Sequence, residues 1–181
     1  MAELNIRVIN AGSSSLKYQL FVFAADRKEA PAVITSGLCE GIGEPTSRWK
    51  WTFQGNDGVD EKSIGDHGAA LAAVRAQLGA ANLRVDACGH RVVHGGDRFT
   101  QPTLVDDAAL AHILALKTIA PLHNPPQGNA IAKCIEAFGK GCPHVAAFDT
   151  AYHATRPEAP SRPDEPRAGR ERLPSRRLST L

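Results

Sequence analysis

The chain has 181 residues, of which 43% are hydrophobic, so it suits one ordinary domain or slightly more and can bury a real core. A formal net charge of +2 demands neither nucleic acid nor an acidic membrane surface as partner. No apolar run reaches the ~18 residues of a membrane span, and Met1-Ala2-Glu3-Leu4-Asn5 lacks the basic-then-apolar order of a signal peptide, so the cytoplasm is the expected compartment.

Residues 6–9 are apolar and β-branched at Ile6, Val8 and Ile9 and predict a strand. A turn at residues 10–15 follows, then a second strand over 16–23, whose apolar residues on both alternating sets predict burial on both faces. Residues 31–41 hold a third strand, and 48–54 a fourth with Trp49, Trp51 and Phe53 on one face. Gly65 or Asp66 opens a helix carrying Ala70, Leu71, Val74 and Leu78 at helical spacing, with Gly79 at its end. Residues 85–93 read as a strand. A helix beginning at Asp106-Asp107 runs through Leu110, Ile113, Leu114 and Leu116, and Pro121 closes it. Residues 128–138 predict another helix and 144–148 a last strand, with Asp149 at its carboxyl end. Strands first and then alternating helices and strands indicate an α/β or α+β layered domain with a mixed sheet.

Four segments carry chemistry. Asn10-Ala11-Gly12-Ser13-Ser14-Ser15-Leu16-Lys17 is a tight turn between strands. Gly12 permits close backbone approach, and successive turn N–H groups line an anion cavity. Ser13, Ser15 and Lys17 share one face by period two, which suits a polyphosphate. GxxxxGK[ST] is absent and no helix follows, so this is not a Walker A loop; an ordinary serine-rich hairpin turn is the competing reading.

In His90-Arg91-Val92-Val93-His94-Gly95-Gly96, Arg91 can hold a carboxylate through two parallel hydrogen bonds. Val93 adds a small apolar contact on the same side if the strand continues, which describes a pocket for a short fatty acid. A surface arginine flanked by structural histidines is the alternative. His90 and His94 lack an evident third metal ligand. In Pro121-Leu122-His123-Asn124-Pro125-Pro126 the prolines predict an extended loop that places His123 rigidly, where it can donate to a developing anion; a connecting turn with a solvated histidine is the alternative. Asp149, in Phe148-Asp149-Thr150-Ala151-Tyr152-His153, sits where α/β proteins place ligands. The cysteines, Cys39, Cys88, Cys134 and Cys142, form no CxxC pair and read as reduced, mostly buried thiols.

Together, NAGSSSLK (residues 10–17), HRVVHGG (90–96), PLHNPP (121–126) and FDTAYH (148–153) resemble, in order and spacing, the acetate kinase family of the actin and sugar-kinase superfamily. The resemblance covers residues 6–154. It implies a ribonuclease-H-like, actin-type ATPase domain and a reversible, magnesium-dependent phosphoryl transfer from ATP to acetate, manganese being a possible substitute. By motif, Asn10 would help hold the metal and Ser13, Ser15 and Lys17 would grip ATP phosphates. Arg91 would bind the acetate carboxylate, and Val93 and Leu122 would contact its methyl group. His123 would stabilise the transferred phosphoryl group, and Asp149 would be the catalytic acidic residue. Acetate is already ionised at neutral pH, so Asp149 is expected to act through the metal and alignment rather than as a base. The family is homodimeric, and no nucleic acid or membrane partner is implied.

The family has two domains with the active site between them, and the motifs here belong to the first. The expectation is therefore an amino-terminal domain over residues 1–155, truncated before the second and of low activity. Residues 156–181, rich in Arg and Pro and lacking aromatic residues, Val and Ile, are expected to be a disordered tail; a shifted reading frame near Thr155 would produce that composition. A propionate or butyrate kinase and an inactive phosphate- or partner-binding fragment are the alternatives.

Overall fold

The computed structural model describes residues 3–154 except 25, 27 and 140. The expectations for residues 156–181 lie outside the described residues. The strands β1 (Leu4–Ala11) and β2 (Ser15–Phe23) form an antiparallel hairpin that pairs Asn10 with Lys17 and Ala11 with Leu16. β3 (Ala32–Glu40), β4 (Ser47–Phe53) and β5 (Asn56–Lys62) continue the antiparallel meander. β5 was not legible in the sequence because NDGVDEK has one large apolar residue and is exposed along nearly its whole length. Backbone pairing to β4, not burial, defines it.

The chain then returns to the centre of the sheet. Helix α1 (His67–Ala80) starts at Asp66, whose side chain accepts the Ala69 N–H at 2.7 Å. β6 (Ala87–Val92) lies parallel to β1, and β8 (His144–Phe148) lies parallel to β6. A two-residue strand β7 (Thr103–Leu104) runs antiparallel to β8 at the edge. The eight strands follow the order β5-β4-β3-β2-β1-β6-β8-β7. Between β7 and β8 come α2 (Asp107–Ala115), a 3₁₀ turn (Leu116–Thr118) and α3 (Asn124–Phe138); α4 (Asp149–Ala154) follows β8.

α1 packs on α3 and β2, while α3 packs on α2, β1 and β6. They cover the face bearing Ile9, Leu16, Tyr18, Leu20, Val92 and Ala146, and the core splits into one cluster under α1 and another between α2, α3 and β8. The expected two-sided burial of β2 is therefore corrected. Leu16, Tyr18 and Leu20 are buried, whereas Lys17 is exposed and Gln19 is half-buried on the opposite face. Val8, at 38% exposure, shares that uncovered face with Arg91. No helix among the described residues is long and apolar enough to cross a membrane.

Candidate active site

The three parallel strands β1, β6 and β8 end at one edge of the sheet, at Ala11, Val92 and Phe148. The segments that leave them are the Gly12-Ser13-Ser14 turn, the loop over residues 93–96, and Asp149 at the start of α4. Pairing alone thus gathers three motifs separated by tens of residues, at the carboxyl edge where α/β sheets bind ligands.

The turn is held from three sides. The Gly12 N–H donates to the Ser15 carbonyl at 2.9 Å, and the Ile42 N–H donates to the Ser14 carbonyl at 2.9 Å. His67 Nε2 lies 2.9 Å from the Gly12 carbonyl and 3.2 Å from the Ser15 carbonyl. Both partners are acceptors, so Nε2 must carry the proton. His67 is a site-shaping residue that sequence reasoning missed; its one local signal is its place at the start of α1. A Cβ on Gly12 would fall 2.7 Å from Ser15 Oγ, so a side chain there would require the serine hydroxyl to rotate away.

Ser15 and Lys17 share the uncovered face of β2. Ser13 does not join that row: it precedes the strand and is exposed in the turn, so the period-two argument stops at Ser15. Asn10 is half-buried at the end of β1 and paired with Lys17. Pairing from Lys17 to Leu38, and from Leu38 to Lys50, places two lysines in one cross-sheet row. They line a groove of about 540 Å³ together with Gln19, Ser36, Leu38 and Trp51.

Arg91 projects from β6 to the same face and meets Asp149 in a fork. Nε donates to Oδ1 at 3.0 Å and an Nη donates to Oδ2 at 2.8 Å. The hydrogen bond that Arg91 donates to Asp149 raises the arginine pKa further, so the guanidinium stays charged. Both groups remain accessible, at 52% and 40% side-chain exposure, and another carboxylate can reach the fork.

Three side chains fix the loop after Arg91. The Val93 N–H donates to Gln127 Oε1 at 2.9 Å, the His94 N–H to Asn124 Oδ1 at 3.2 Å, and the Gly95 N–H to Thr150 Oγ1 at 3.1 Å. Asn124 Nδ2 returns a bond to the His94 carbonyl at 2.8 Å and reaches the Ile113 carbonyl at 3.3 Å. Asn124, Gln127 and Thr150 are positioning residues that the motif reading did not single out. The expected strand continuation through Val93 is corrected, because β6 ends at Val92 and alternation no longer decides the direction of Val93. The histidines of this segment have partners other than a shared metal: His90 contacts His144, and His94 Nδ1 accepts the Gly96 N–H at 2.9 Å.

The expected extended loop at residues 121–126 is also corrected. Pro121, Leu122 and His123 form a turn, and α3 begins at Asn124 with prolines in its first turn, four residues earlier than predicted. Proline is tolerated there because the first helical N–H groups have no intrahelical partner. His123 is exposed and occupies the N-cap position without a capping side-chain bond. Its neighbour Asn124 ties this turn to the loop after Arg91. Leu122 is 77% exposed, so its apolar side chain is available to a ligand but does not itself close a pocket.

The Acetokinase family matches residues 5–177. The acetate kinase of Streptomyces coelicolor is 44% identical over 169 residues, which cover 90% of this chain and 40% of that protein. The acetate kinase of Deinococcus deserti is 41% identical over 157 residues, with 83% and 37% coverage. Among solved structures, Porphyromonas gingivalis acetate kinase superposes with a TM-score of 0.75 at 31% identity, covering 86% of this chain and 39% of that one. A propionate kinase from Francisella tularensis gives the same TM-score and identity, covering 85% and 39%. The chain spans about 40% of the length of the curated relatives it matches. The mixed sheet and its helices are those of the actin-like kinase fold, and the chain belongs to the acetokinase family.

Proposed function

We propose that this chain supplies the acceptor-binding and phosphate-gripping half of an acetate kinase, an enzyme that moves a phosphoryl group reversibly between ATP and acetate. The observation that carries the proposal is the Arg91 fork, which holds a carboxylate through two hydrogen bonds at the ligand-binding edge of the sheet. A small carboxylic acid offers the same two oxygens as Asp149 and competes for the same fork. Val93 and Leu122 then flank its methyl group. Ser13, Ser15 and Lys17 grip the nucleotide phosphates beside the Gly12 turn, and His123 donates to the transferred phosphoryl oxygens.

The donor set suits magnesium or manganese, because the Asn10 amide and the Asp149 carboxylate are hard oxygen donors. Such an ion, when bound, offsets negative charge on the phosphates. Asp149 has no proton to remove from an ionised acid; released from Arg91, its carboxylate is free to align the metal side of the site. We place the protein in the cytoplasm, where ATP and short acids are available, with dimerisation as in its family. Propionate is the second reading, supported by the equal likeness to a propionate kinase; one methylene is worth only about 1–3 kcal/mol of discrimination.

Acetate titration of ¹⁵N-labelled protein tests the acceptor site. Acetate should shift the Arg91 Nε–H resonance and the backbone amides of residues 93–96, and Arg91→Ala should remove these shifts. Unchanged spectra at saturating acetate would refute the assignment. Acetyl phosphate formation from ATP, trapped as the hydroxamate, then reports how much turnover this chain supports.

A further inference from the structure

At the opposite edge of the sheet, the amino-terminal ends of β6 and β8 bring together Cys88, Cys142 and His144. Cys88 is the register partner of His144, and its N–H donates to the Pro143 carbonyl at 2.8 Å. The two sulfurs are 3.9 Å apart. A ring nitrogen of His144 and both sulfurs all lie within 4.8 Å of one another. Two thiolates sharing one ion at about 2.3 Å sit about 3.8–4.0 Å apart, so the sulfurs already have the spacing of a shared ion.

His144 is only 3% exposed, and its Nε2 is a buried nitrogen with no hydrogen-bond partner. Its Nδ1 is 2.9 Å from His90 Nε2, with the two rings stacked at 5.2 Å. A metal-ligating histidine donates its other ring N–H to a second group, and His144 takes that arrangement in the tautomer whose Nδ1–H donates to His90 Nε2.

Arg7 adds a charge constraint. It is fully buried, and all three guanidinium nitrogens lack hydrogen-bond partners. Its neighbours are the rings of Tyr18 and Phe138, at 5.5 and 4.7 Å. The titratable groups acting on it are Cys134, Cys88, Tyr18 and Cys142, with no carboxylate among them. A buried cation needs a counter-charge. Two thiolates around a divalent ion carry no net charge and leave Arg7 unbalanced. Two thiolates around a monovalent ion carry one negative charge, which Arg7 neutralises. Soft sulfur ligands suit copper(I) and zinc(II) alike, and the charge balance with Arg7 is what favours the monovalent ion.

We infer that Cys88, Cys142 and His144 form a three-coordinate site for a soft monovalent d¹⁰ ion, copper(I), remote from the kinase edge. Cys142 is half-buried and shares with Asp106, Ile135 and His144 a surface pocket of about 370 Å³, which gives the ion an entry path. Binding exchanges two S–H bonds for two sulfur–metal bonds, adds one nitrogen–metal bond and releases two protons to solvent, with no change of oxidation state. Both cysteines are free, and a free cysteine is a thiol at neutral pH, so both protons are there to be released.

The test is anaerobic titration of the reduced full chain with copper(I) against a chromophoric copper(I) chelator. One ion per chain and two protons released are expected, with at least about 100-fold weaker binding in Cys142→Ser, since second-shell losses alone cost 10–100-fold. Circular dichroism checks that the variant remains folded. X-ray absorption on the wild-type complex needs no variant and should show two sulfurs and one nitrogen. Equal affinity in folded Cys142→Ser, a sulfur-only shell, or preferential uptake of zinc(II) over copper(I) would each overturn the inference.

Discussion

Arg91 on β6 and Asp149, the first residue of α4 just past the neighbouring parallel strand β8, meet through a two-pronged hydrogen bond of 3.0 and 2.8 Å. Register explains the meeting. Arg91 pairs with Ala147, so Asp149 emerges just past the strand end beside the guanidinium. The pair is exposed enough for exchange, and it satisfies the arginine with the type of group that a carboxylic acid substrate would offer.

Breaking this pair should harm catalysis far more than stability. In a complete enzyme carrying this half, Arg91→Ala should raise KM for acetate and lower kcat, and Asp149→Asn should abolish most activity. Both variants should unfold within about 1 kcal/mol of the parent, the usual worth of a solvent-exposed ion pair. Steady-state kinetics beside urea unfolding checks this, and near-normal turnover in Asp149→Asn would rule out its role.

Asn124 should behave in the opposite way. It is fully buried and bridges the His94 backbone and the Ile113 carbonyl. Asn124→Ala leaves buried backbone groups unpaired and should cost about 2–3 kcal/mol in urea unfolding. The loop after Arg91 loses its anchor as well, so amide exchange at residues 93–95 should accelerate before global unfolding.

Two glycines give a paired prediction. A Cβ on Gly95 would lie 2.5 Å from the Phe99 carbonyl oxygen and 3.1 Å from the Phe148 ring, so Gly95→Ala should destabilise by about 1–3 kcal/mol. A Cβ on Gly79, inside α1, meets nothing within 4 Å. Gly79→Ala should therefore stabilise by about 0.5–1 kcal/mol. Thermal melts of the two variants should move in opposite directions.

Acid should weaken the fold through His90. Burial, then His144 and Arg7, lower its pKa from 6.5 to about 3. The unfolded chain binds a proton below about pH 6.5 that the folded chain refuses, so stability is full above that value and falls towards pH 3. The loss should reach about 2 kcal/mol by pH 5. Urea midpoints at pH 7.5 and pH 5 measure it, and His90→Gln should reduce the dependence, leaving the part that buried His144 contributes.

The amino-acid order carries most of the strand and helix periods, the turn at Gly12 and the four motifs that mark the family. These are local properties: the helical spacing of Ala70, Leu71, Val74 and Leu78 reports the buried face of α1, and Asp66 caps that helix through a bond three residues away. It misplaced what depends on partners. β5 is a strand because β4 offers it hydrogen bonds, and Pro125 and Pro126 lie inside a helix because the first turn needs no N–H donors. Only the tertiary structure decided that Arg91 meets Asp149, that His67 holds the Gly12 turn, and that Cys88 lies 3.9 Å from Cys142 across 54 residues of chain. The first and last of those contacts follow from β6 and β8 lying parallel in register, and pairing between segments far apart in sequence leaves no periodic trace in either segment alone.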